Sequence, residues 1–410
     1  MILNYIWISL LLLAVLMGIV QAVCFGNADI FSVILNSTFD SAKTGFELSL
    51  GLTGVLSLWM GIMRIGEQAG AVYSLGKAIN PFFSRIFPQI PKDHPVFGSM
   101  LMNIAANMLG LDNAATPMGL KAMTELQELN EDKTKASNAM IMFVVLGASG
   151  LTLIPTTIMA YRAQLGAANP ADVFLPILIA TYAATLVGLL SVCIAQKIKL
   201  KDPVVLGTVI GLTGLVGLLV WGATRLAPEK LSVVSGATAA ILLLGVICWF
   251  VIQAMCRKIN VYDAFIDGAK GGFQTAIGII PYLIAILVAV GMFRASGAMD
   301  LLEHGLAYLF GLCGINPDMA GAVPTALMKP LSGGGARGLM LEAMTTHGAD
   351  SLVGRLCCIL QGTTDTTFYV LAVYFGSVNI KDTRHAVACC LLADLAGVVT
   401  AFAIAPIFFG

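Results

Sequence analysis

The chain has 410 residues, 58% hydrophobic and 11% charged, with 23 Lys+Arg against 23 Asp+Glu and a mean hydropathy of +0.89. A soluble globule, in which about a quarter of the residues are charged, is excluded; zero net charge and the lack of any basic run interleaved with aromatics set a nucleic-acid ligand aside. What remains are apolar runs of about 20 residues, each able to cross a hydrocarbon layer about 30 Å thick, which spell an all-α polytopic membrane protein.

The first run, Ile2 to Cys24, lacks a basic leader and a small-residue cleavage site, so it reads as a transmembrane helix rather than a signal peptide. Eight more crossings are expected at about 47–72, 137–161, 171–196, 203–223, 232–256, 272–296, 353–377 and 386–408, giving about nine. Two further stretches, about 97–122 and 321–344, are apolar but broken midway by NMLGLDNAATP and KPLSGGGARG, and read as re-entrant broken helices. The nine cysteines lie mostly in apolar runs without a CxxC pair and read as small buried hydrophobes. The four histidines lie scattered in loops, so no metal centre is expected.

An internal echo organises the chain. FDSAKTGFELSLG at Phe39–Gly51 returns as FIDGAKGGFQTAIG at Phe265–Gly278, and LMN at 101–103 returns as LMK at 327–329. Pro155-Thr156-Thr157 likewise meets Asp365-Thr366-Thr367, in order, which chance apolar similarity seldom preserves. The division expected is 1–24 as an N-terminal helix, 25–200 and 258–410 as two related repeats, and 201–257 as a two-helix linker. Fourteen of the Lys and Arg, among them Lys92, Lys197, Lys199, Lys201, Arg257 and Lys258, fall on one side against five on the other. This places the N-terminus inside. An odd number of crossings in each half with an even linker makes the halves antiparallel, the inverted arrangement of many secondary transporters.

Polar residues at membrane depth are functional candidates. Asn103 and Asn107 share a helix face, and with Asp112, Asn113 and Thr116 they are candidates for substrate contact; interhelical hydrogen bonding is the simpler reading. Lys329, Ser332, Gly333, Gly334 and Arg337 set two cations around a Gly turn that opens a half-helix, suited to an anionic group. The alternative is a tight turn with both cations snorkelling to the interface. Gln361, Thr363 and Thr364 extend the substrate set, and Asp365, Thr366 and Thr367 supply a carboxylate with hydroxyls for H⁺ or Na⁺, or else Asp365 forms a structural ion pair. Arg64 with Glu67 at i, i+3 reads as self-neutralising, and Asp394 has no evident partner. No hydrolase or P-loop signature assembles, so no enzymatic role or cofactor is expected.

At NIAANMLGLDNAATPMGLKAM and SGLTLIPTT, and at KPLSGGGARG, QGTTDTTFYVLAVYFGSV and ADLAG, the sequence resembles bacterial spore maturation proteins A and B joined in one chain. Both halves are similar to the Gate, or nucleoside-recognition, domain. The resemblance implies an integral membrane protein moving a solute, akin to concentrative nucleoside transporters and the membrane part of ferrous-iron transporters. Lys329 and Gly334 depart from the RPLSGSGA form associated with B-type members, which removes the guanidinium for a bidentate carboxylate contact. The combined expectation is a secondary transporter or exporter of a small polar, anionic solute in the bacterial inner membrane, coupled to H⁺ or Na⁺. Homo-oligomer formation through leftover apolar faces is compatible with it. The rival is a membrane scaffold for envelope or spore-maturation partners, docking through the acidic 123–136 loop.

Overall fold

A computed structural model describes residues 2–91, 94–109, 112–198, 202–226 and 228–410, without the side chains of 2, 3, 112–114, 228, 229 and 232. Lys92, Lys199 and Lys201, counted above as inward charges, and the side chains of Asp112 and Asn113 lie outside the described residues. The described residues form helices and no named strand; the backbones of Lys135 and Asp382 meet in one isolated bridge.

Helix α1, Ile2–Phe25, ends at Gly26, whose φ of 67° closes it. α2, Ile30–Gln68, starts well before the expected position because polar residues alone do not stop a helix. Ser37 and Thr38 satisfy themselves by donating to the carbonyls of Ile34 and Leu35. α3 is Ala71–Ile86, α4 Val96–Met108 and α5 Asp112–Glu128. The expected crossing at 137–161 is instead two short helices, α6 Asn138–Ser149 and α7 Thr156–Gln164. Gly150, at φ 41°, and Pro155 interrupt it.

Four long helices follow: α8 Phe174–Ala195, α9 Pro203–Ala223, α10 Pro228–Cys256 and α11 Val261–Ala295. α12 is Ala298–Leu312, and a 3-10 turn at Pro317–Ala322 leads to α13 Val323–Met328 and α14 Gly333–His347. The 353–377 crossing is α15 Leu352–Thr363 and α16 Thr367–Ser377, parted by three residues, and α17 is Ala386–Phe409. Among the described residues eight spans are long and apolar enough to cross a membrane, counting Leu352–Ser377 as one. The chain is a multi-pass all-α membrane protein. Both stretches expected to be re-entrant are divided into two helices, α4 and α5 in one and α13 and α14 in the other.

The cysteines depart from expectation: Cys193, Cys357, Cys358, Cys389 and Cys390 are buried, whereas Cys24, Cys248, Cys256 and Cys313 are exposed on apolar helices or their ends. An apolar run predicts burial in protein or in lipid without telling which.

Two compact units form. The first holds residues 1–60, 157–170 and 269–361, and the second 61–156, 171–268 and 362–410. Each therefore mixes the two sequence halves: α7 joins the helices α11–α15, and α16 and α17 join α3–α6. The first unit's core gathers Ile286, Val290, Phe293 and Met299 with Met328 and Leu339. The second packs Phe83, Phe87 and Met100 with α6, Tyr374 and Phe375.

Candidate functional site

In the second unit three helix interruptions converge. α6 ends with carbonyls that have no intrahelical partner, a costly state without water, and three carbonyls at this end find a tertiary donor. The Asp365 N–H donates to Ala148 O at 2.8 Å, Thr185 Oγ1 to Ser149 O at 3.3 Å, and Thr181 Oγ1 to Gly150 O at 2.6 Å. Met108 O, at the end of α4, accepts from Leu153 N–H at 2.9 Å. The ends of α4, α6 and α15 are thus laced together through main-chain carbonyls.

Asp365 stands at this junction. Its side chain is exposed, with Oδ1 accepting from Thr366 N–H at 2.6 Å. The threonines around it are buried: Thr363, Thr364 and Thr366 are 2%, 6% and 6% exposed, and Thr367 is fully buried. Thr367 Oγ1 donates to Asp394 Oδ2 at 2.7 Å, which supplies the partner that the sequence left open for Asp394.

The two asparagines part company. Asn103 is fully buried and donates to Ala115 O at 2.7 Å and to the Tyr374 hydroxyl at 3.1 Å, tying the α4–α5 hairpin to α16, while its Oδ1 has no partner among the described residues. Asn107 is half-buried and lines a largely apolar cavity of about 290 Å³ with Phe82, Phe83, Tyr182 and Gly150. Thr116, on α5, is half-buried.

The first unit carries the other broken hairpin. Ser332 caps α14, its Oγ accepting from Gly335 N–H at 3.0 Å, while Gly334 faces open space. Lys329, 7% exposed, donates from Nζ to Gln361 O at 2.7 Å, and Gln361 Nε2 reaches back to Gly333 O at 3.5 Å. The ammonium thus pins the turn to the end of α15 instead of snorkelling outward. Arg337 is half-buried with its guanidinium 5.8 Å from the centre of the Tyr161 ring, a cation–π contact. No carboxylate pairs with it among the described residues.

The sequence candidates divide between the two units, Lys329, Ser332, Gly333, Gly334, Arg337 and Gln361 belonging to the first and Asn103, Asn107, Thr116 and Thr363–Thr367 to the second. Sequence reasoning missed Tyr374, Thr181, Thr185 and the partners of Arg294, namely Glu303 at 2.8 Å, Asp300 at 3.4 Å and Glu342. Polar side chains inside apolar runs were the available signal. Arg64 does pair with Glu67 at 2.9 Å, and also with Asp267 at 2.8 Å.

The sequence model of the family Gate, described as nucleoside recognition, matches residues 49–165 and 276–381, together more than half of the chain. Both broken hairpins and both interrupted helices fall inside those segments, and Asp394 lies beyond them. Spore maturation protein A of Bacillus subtilis (strain 168) is 40% identical over 178 residues, 43% of this chain and 87% of that protein. Spore maturation protein B of the same organism is 42% identical over 165 residues, 40% of this chain and 91% of that protein. No solved structure matches.

Proposed function

Because the chain belongs to the Gate family of nucleoside-recognition domains, we propose that it is a secondary transporter of a small polar solute, working by alternating access and driven by H⁺ or Na⁺. The observation that carries the reading is the exposed carboxylate of Asp365 at an unwound turn between two apolar helix segments. A carboxylate facing hydrocarbon costs about 2.5–3.5 kcal/mol or more, so a water-filled opening is the environment in which it is tolerated. Non-helical backbone at membrane depth is tolerated on the same terms. Asp365 with the hydroxyls of Thr366 and Thr367 is the ion or proton carrier in this reading.

The family description supports a solute of nucleoside size. The start of α14 at Gly333–Gly334, beside the Ser332 cap on Gly335 N–H and with Arg337 over the Tyr161 ring, supports one bearing an anionic group. The bacterial cytoplasmic membrane, with the N-terminus inside, is the location that the lysine and arginine distribution favours. The relatives are named for spore maturation, and a role at the cell envelope is compatible with moving a solute. The scaffold alternative draws less support, because its loop is bonded inwardly: Gln127 donates to Lys133 O and Val378 O, and Asn130 to Asp132 O and Lys135 O.

Thermal melting of the purified chain against nucleosides, nucleotides, dicarboxylates, amino acids and cations tests the proposal. A ligand at 100 times its dissociation constant stabilises by about 2.7 kcal/mol. A shift in the wild type that is lost in Asp365→Asn is expected; no shift with any compound, in well-folded protein, would overturn the transporter reading in favour of the scaffold.

A further inference from the structure

Apart from the helix interruptions, the second unit holds a cavity of about 580 Å³ where the end of α3, the start of α6, the end of α8 and the start of α9 meet. Its lining is amphiphilic. Phe87 and Met142 at its base are each 1% exposed, while Arg85, Gln89 and Lys197 are exposed around it. Arg85 Nε lies 3.1 Å from Asp202 Oδ1, so its charge is already answered, whereas Lys197 makes no ion pair among the described residues. Lys197 is held in place by the chain itself. It takes the left-handed conformation, φ 55°, that closes α8, with its N–H on Ile194 O and the next N–H on Cys193 O.

Further positive potential comes from behind the cavity. Arg384 donates to Ala136 O at 3.1 Å and to Asn138 Oδ1 at 2.9 Å, and the positive end of α6 opens beside them. A net cationic mouth over an apolar base, at helix ends on the Lys- and Arg-rich side of the chain, matches how basic pockets between transmembrane helices hold phosphate head groups. We propose that this cavity seats a phosphate ester, supplied by an anionic phospholipid of the inner leaflet, with the phosphate at Lys197 and Arg85 and the glycerol against Phe87 and Met142.

The test is melting and native mass spectrometry of the full chain in detergent with phosphatidylglycerol, phosphatidylcholine or glycerol 3-phosphate added. Phosphatidylglycerol should bind and raise the melting temperature where phosphatidylcholine does not, and Lys197→Gln should weaken it about five-fold, the worth of one cation at a membrane surface. Asp202→Asn is the more telling variant. Asp202 caps α9 by accepting from Val204 N–H at 2.9 Å, which asparagine also does, so the fold survives while Arg85 is released and phosphatidylglycerol binds more tightly. An equal response to glycerol 3-phosphate would assign the site to a soluble phosphate ester. Equal binding of both lipids with no response to glycerol 3-phosphate, or a phosphatidylglycerol response unchanged in both variants, would overturn the proposal.

Discussion

Gly119 has no room for a side chain: a Cβ there would strike the Tyr374 hydroxyl and come within 2.8 Å of Asn103 Nδ2. Gly119→Ala should therefore cost about 1–3 kcal/mol in thermal or denaturant melts, and Tyr374→Phe about 1 kcal/mol through the lost hydrogen bond. An unchanged melt in both would show that this knot bears no load. Asn103 was legible as a polar residue on one helix face with Asn107, yet spacing along a helix gives only a direction. Which neighbour covers that direction depends on α16, some 270 residues on, so the structural role of Asn103 and the open position of Asn107 were beyond the sequence. Asp365 is the reverse case, a carboxylate that any reading of the apolar runs singles out. Because it is exposed and its Oδ1 serves Thr366 N–H, Asp365→Asn should melt within about 0.5 kcal/mol of the wild type, leaving its loss of function attributable to charge.

Helix interruptions were partly readable: KPLSGGGARG marks the break between α13 and α14, where the chain leaves the helix at Lys329–Ser332, whereas Gly150 and Pro155 break a stretch expected as one crossing. Helix starts were less so. The polar residues ahead of the expected crossings at 47–72 and 272–296 lie inside α2 and α11, because no proline stands among them to stop the helix. In the last turn of α7 the fully buried Arg162 donates to Ala349 O at 2.6 Å and pairs with Asp350 at 3.0 Å. Arg162→Met should cost about 3 kcal/mol, the low end for a buried pair because Asp350 is itself 37% exposed. At the head of α17, burial foremost and the Arg384 charge second hold the His385 imidazole below its usual range. The unfolded chain then takes up a proton near pH 6.5 before the folded one does, so stability is full above that pH and falls as the medium is acidified through it. Melting temperature should decline from pH 7 to pH 5, and His385→Gln should flatten that part of the profile.

At the scale of the whole molecule, the echo between the two halves is visible in sequence, but the exchange that distributes them is not. Each compact unit takes the segment after an interruption from the opposite half, α7 in one and α16 in the other, a pairing that only long-range contacts reveal. The charge distribution predicts opposite sides for two exposed thiols: a membrane-impermeant reagent should label Cys24 in intact cells and leave Cys256 untouched, and labelling of both alike would refute the assigned orientation. Solute movement through a site that includes Asp365 is what the proposed transport requires. The most direct measurement is uptake into proteoliposomes of the nucleosides, nucleotides and dicarboxylates that bind, under an imposed Na⁺ or pH gradient, for wild type and Asp365→Asn. Saturable, gradient-driven uptake by the wild type that Asp365→Asn abolishes without unfolding is the predicted result; gradient-independent leakage, or no uptake of any bound compound by folded protein, would contradict it.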